Sequence, residues 1–100
     1  MANAMILTVL EATVPEGKES LLEEAFKAAG SGPKPNGLLR SELLRDSREP
    51  SRWRIATLWE SREALLAMRN SGAPPAGILM FRSADAEPEL TVFDVVDVIT

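Results

Sequence analysis

One hundred residues, 45% of them apolar and 26% charged, describe a single globular domain able to bury roughly two-thirds of its unfolded surface, and exclude disordered and fibrous classes. Cysteine, histidine and tyrosine are all absent, which removes disulfides, thiolate chemistry, the usual base near neutral pH and the phenol donor. A net charge of -4 and a pI of about 4.8 argue against nucleic acid or anionic membrane as partners, since Lys and Arg carry phosphate binding. No run nears the ~20 apolar residues that span a bilayer, and Met1 to Ala4 have no signal-peptide character. A cytoplasmic protein is expected, with residues 1–4 disordered ahead of one domain over 1–100.

Met5 to Val14 is rich in β-branched residues and reads as a strand ending at Pro15. Ile6, Thr8, Leu10, Ala12 and Val14 share one face, while Met5, Leu7 and Val9 occupy the other before Glu11 and Thr13. Both faces are largely apolar, whereas a half-solvated strand would alternate. Lys18 to Ala29 places Leu22, Ala25, Phe26 and Ala29 at helical spacing against Glu19, Glu23 and Lys27, and the stretch from Gly30 to Gly37 is a loop.

Leu38 to Arg45 and Trp53 to Glu60 form a hairpin around a polar tip. Trp53, Ile55, Thr57 and Trp59 share a face of its second strand. Ser61 is an N-cap for a short helix from Arg62 to about Asn70 that buries Ala64, Leu65 and Met68. Residues 73–88 stay unassigned: Pro74 and Pro75 could open a helical turn bearing Ile78 and Phe81, but Gly77 weakens it. Leu90 to Ile99 reads as a last strand, apolar on both faces.

The order β-α-β-β-α-β predicts a ferredoxin-like α+β fold, a four-stranded antiparallel sheet with two helices on one face. The opposite face carries too many aliphatics to stay wet, so a homodimer paired sheet to sheet is expected, covering ~800 Å² per partner.

Pro15-Glu16-Gly17-Lys18-Glu19 after the first strand, and Leu58-Trp59-Glu60-Ser61-Arg62-Glu63-Ala64-Leu65 after the third, resemble the antibiotic biosynthesis monooxygenase family of dimeric α+β barrel proteins. The resemblance implies a pocket between each sheet and its own helices. Some members oxidise polycyclic phenols and quinols without metal or flavin, others degrade haem, and many have no known activity. The axial His of the haem-degrading branch and its first-strand Asn have no counterpart here, and Met68 stands near a position where relatives often carry His.

Two functions follow as expectations. One is a cofactor-independent monooxygenase acting on a phenolic or quinol-like small aromatic, with Glu11 desolvated as general base and Arg54 as the cation that stabilises the substrate anion. The other is a non-catalytic dimer that binds a small apolar ligand. Trp59, Trp53, Phe26, Met68 and Phe81 are the candidate pocket residues for either, and each could equally serve as core. No metal and no cofactor are expected.

Overall fold

The computed structural model describes residues 4–72 and 75–100. Its elements run β1 (Ile6–Thr13), α1 (Glu19–Ser31), β2 (Leu38–Arg45), β3 (Arg52–Trp59), α2 (Arg62–Arg69), α3 (Ala76–Ser83) and β4 (Glu89–Asp94). The strands form one sheet in the order β2-β3-β1-β4, antiparallel at every pairing. This is the ferredoxin-like arrangement that the order of elements predicts.

Burial alternates along β1, with Ile6, Thr8, Leu10 and Ala12 buried and Leu7, Val9 and Glu11 half-buried between them. Register extends the pattern across the sheet: Ile6 faces Trp59, Thr8 faces Thr57, Leu10 faces Ile55 and Ala12 faces Trp53. These residues make up the helix-covered side. Leu10, Trp53 and Ile55 pack with Leu22 of α1 and Phe81 of α3, while Ile6 and Trp59 pack with Leu65 of α2.

Local chemistry sets the ends of the elements. Ser61 caps α2 as expected, its Oγ accepting from the Ala64 backbone N–H at 3.1 Å. Gly37 turns the chain into β2 with φ of +85°, and its carbonyl accepts from the Glu60 N–H at 2.8 Å.

Two expectations need correction. A third helix, α3, fills half of the unassigned stretch, though Ala73 and Pro74 fall outside the described residues, as do residues 1–3 of the segment expected to be disordered. Gly77 is what lets α3 approach the sheet, since a Cβ there would lie 2.6 Å from Leu10 Cδ1. The last strand ends at Asp94, not Ile99, because β1 begins at Ile6 and supplies only the Met5 carbonyl, which accepts from the Val95 N–H at 2.9 Å. Beyond that point Val96 and Ile99 are 94% and 100% exposed.

Among the described residues no helix covers the far side of the sheet. Leu7 lies between Leu58 and Phe93, and Val9 lies beside Ala56, giving one end of this face an apolar surface. Glu11 and Arg54 pair across the other end.

Candidate functional site

A cavity of about 470 Å³ lies between the helix-covered sheet face and the helices. Its floor comes from three strands: Thr8 and Leu10 of β1, Ile55, Thr57 and Trp59 of β3, and Ser41 of β2. Phe26 of α1, Leu65 and Met68 of α2, and Ile78 and Met80 of α3 form the apolar walls. Exposed Lys34, Arg40 and Arg69 belong to the lining as well, and among the described residues no carboxylate does. The lining is therefore apolar within and positively charged where it meets solvent.

The floor carries a small hydroxyl network. Trp59 is 3% exposed, and its Nε1–H donates to Thr8 Oγ1 at 3.1 Å. Thr8 Oγ1 in turn donates to the Thr57 carbonyl at 3.4 Å. Ser41 and Thr57 face each other across β2 and β3, and their hydroxyl oxygens lie 2.8 Å apart. Each strand presents its β-branched or small polar residue inward at the same level, so three hydroxyls and one indole meet in an otherwise oily hollow.

Of the expected pocket residues, Trp59, Phe26 and Met68 line the cavity. Trp53 and Phe81 do not: both are buried in the core cluster with Leu10, Leu22 and Ile55. Trp53 shares the sheet face of Trp59 but pairs with Ala12 at the opposite end of β1. Its indole N–H has no hydrogen-bond partner among the described residues, and the Arg45 guanidinium sits 5.6 Å from its ring centroid.

Glu11 and Arg54 come together, but on the far side of the sheet, away from the cavity. Arg52 Nη2 donates to Glu11 Oε2, and Arg54 donates through Nε and Nη2 at 3.2 Å each. Hydrogen bonds from Arg52 first and Arg54 second hold the Glu11 carboxyl below its ordinary value, outweighing the opposing effect of burial. A carboxylate so held is a weaker base than a free one, opposite to the raised pKa that an apolar strand alone suggests. Thr8, Ser41 and Thr57 were not among the expected site residues. The signal for them is positional: Thr8 and Thr57 are the polar residues on the inner faces of two otherwise apolar strands.

A second hollow beside Ala4, Ile6 and Glu63 has an exposed ion pair in its lining, Arg62 to Asp94 at 2.9 Å. Among the described residues no group of His, Cys, Asp or Glu side chains could hold a metal ion. None of their helices is long and apolar enough to cross a membrane.

Fold and hollow together define a ferredoxin-like α+β domain with an apolar cavity beneath its helices. The sequence profile of the antibiotic biosynthesis monooxygenase family matches residues 5–74, and the chain belongs to that family. No functionally curated protein matches it. Among solved structures it resembles SnoaB, a cofactor-independent oxygenase from Streptomyces nogalater, at 19% identity and a TM-score of 0.67, over 96% of this chain and 97% of that one. A haem-degrading protein from Mycobacterium tuberculosis is similar at 28% identity and a TM-score of 0.70, over 96% and 99% of the two chains. A conserved protein of unknown function from Bacteroides thetaiotaomicron matches at 22% identity and a TM-score of 0.70, over 94% and 100%.

Proposed function

We propose that the chain is a cofactor-independent monooxygenase for a phenolic or quinol-like aromatic, held in the cavity beneath the helices and working as a cytoplasmic homodimer. The observation that carries this reading is the cavity itself: an aromatic and thioether wall of Trp59, Phe26 and Met68, closed by sheet on one side, with cations and no carboxylate in its lining. An apolar enclosure of this size suits a two- or three-ring ligand. Lys34 and Arg69 give the cavity mouth a positive potential, which favours the substrate anion over its neutral form.

Dioxygen is the only co-reactant the reaction needs. For an anthrone-type member of this class, the ring CH2 flanked by aromatic carbons loses one proton to solvent, the carbanion forms a C–O bond with dioxygen, and loss of the second C–H proton with O–O cleavage leaves the new carbonyl and one water. The protein's part is to bind, to favour the anion and to exclude competing water. Glu11 and Arg54 have no part in this scheme, because they lie on the other face.

Dimerisation accounts for that other face. Leu7, Val9, Leu58 and Phe93 form an apolar surface with no helix of the described residues over it, and Val96 and Ile99, beyond the end of β4, are exposed. A second copy laid sheet to sheet would cover all of them.

One observation favours the second reading, a binding protein without catalysis: neither a carboxylate nor an imidazole lines the cavity to take a proton. Oxygen uptake separates the two. With a panel of anthrones and quinols the oxygenase reading predicts consumption well above the no-protein rate and a quinone product; uptake at the background rate with every member leaves only binding.

A further inference from the structure

The hydroxyls on the cavity floor can be counted proton by proton. Thr8 spends its one proton on the Thr57 carbonyl and accepts from Trp59 Nε1. Ser41 and Thr57 share a single hydrogen bond between their side-chain oxygens. Each hydroxyl owns one proton, so this pair holds two and uses one. The remaining O–H, with spare acceptor capacity beside it, has no partner among the described residues, yet both residues line the cavity and Thr57 is buried.

Around this group the floor is apolar: Leu10, Ile55 and the ring of Trp59. An uncommitted donor-acceptor in such surroundings favours a ligand with a matching polar atom, because a ligand without one covers it unpaired. The cations lie elsewhere, on exposed Lys34 and Arg69, and Lys34 Nζ already donates to the Gly30 carbonyl at 2.8 Å and the Gly32 carbonyl at 3.1 Å. Charge is therefore favoured near solvent and a neutral oxygen at the floor.

We infer that the Ser41–Thr57 hydroxyl pair is the specificity-determining subsite of the cavity, taking the neutral hydroxyl or carbonyl oxygen of a flat aromatic ligand whose rings lie against Trp59, Phe26 and Met68. The inference rests on the cavity being the ligand site, and it fixes orientation: the oxygen points at the sheet. Thr8 accepts from the Trp59 indole and donates to the Thr57 carbonyl, so neither of its bonds uses the Ser41 or Thr57 hydroxyl.

Naphthalene and 2-naphthol, which differ by one hydroxyl, test it at neutral pH by two-dimensional nitrogen–proton spectra of wild type, Ser41→Ala and the Ser41→Ala/Thr57→Val double variant. The Trp59 indole signal should move on titration while that of Trp53, outside the cavity, stays. Wild type should prefer 2-naphthol by about fivefold or more, the worth of one neutral hydrogen bond in a dry site. The double variant should bind both ligands equally, with naphthalene bound at least as well as before. If both bind and the preference survives in the double variant, the hydroxyl pair is not the subsite, although the cavity remains the ligand site. If neither ligand moves the Trp59 signal, both the subsite and the cavity reading fall.

Discussion

Replacing Thr8 by Val tests the buried floor of the cavity. The two side chains have nearly the same shape, so packing is kept while the acceptor of the Trp59 indole N–H among the described residues, at 3.1 Å, is removed. Thr8 and Trp59 are 8% and 3% exposed, so water reaches the freed N–H poorly. An orphaned buried donor costs ~1–3 kcal/mol. For a domain of this size that corresponds to a fall in melting temperature of roughly 5–20 °C. Thermal and urea unfolding followed by circular dichroism measure it, and a double-mutant cycle with Trp59→Phe isolates the pair. In the Phe background no N–H is left to orphan, so Thr8→Val should cost less than half as much there. Equal costs in the two backgrounds would refute the claim that the indole depends on Thr8.

Gly37→Ala should destabilise by ~2 kcal/mol or more, the left-handed penalty of ~1–2 kcal/mol plus a Cβ that would sit 2.4 Å from Ala64 Cβ. Gly17→Ala, at φ of +88° with nothing within 4 Å, should incur the conformational penalty alone, so similar melting points for the two variants would contradict this account of the β2 entry. Glu11 carries stability that is fully present above its ordinary pKa of 4.5 and is lost as pH falls through its lowered folded value. Glu11→Gln should accordingly flatten the decline of the urea midpoint between pH 5 and pH 3, and an unchanged slope would count against it. Leu7→Lys, in the middle of the apolar far face, should convert a species of twice 10.9 kDa into the monomer by light scattering; a wild type already monomeric at micromolar concentration removes the dimer.

Much of the fold is legible locally. β2 spans the predicted residues, β3 is displaced by one, and α2 starts at its predicted cap, because alternation and cap chemistry are properties of neighbouring residues. α3 is not legible in the same way. Gly77 argues against a helix when propensity alone is weighed, and its purpose is visible only once Leu10, distant in sequence, lies beneath it. The overrun of the last strand has a related cause: Val95 to Ile99 has strand composition, but a strand needs a neighbour and β1 has run out.

The site divides along the same line. Trp59, Phe26 and Met68 line the hollow while Trp53 and Phe81 fill the core, although all five look alike as apolar residues on inward faces. Which of them borders empty space depends on where three helices leave a gap. Glu11 is the sharper lesson. In sequence it is an isolated carboxylate in an apolar strand, and only the β1–β3 register, which sets Arg54 opposite it and Arg52 one pair along its own face, reveals an ion-pair network on the wrong side of the sheet for the cavity.

The central claim is that chemistry takes place in the hollow between sheet and helices. Met68→Trp would fill much of that hollow from α2 while leaving the far face untouched. With an anthrone as substrate, an oxygen electrode should record uptake above the no-protein rate for wild type and a fall to that rate for a variant whose circular dichroism is unchanged. Uptake that survives the filled cavity, or that never exceeds the background in wild type, would contradict the claim.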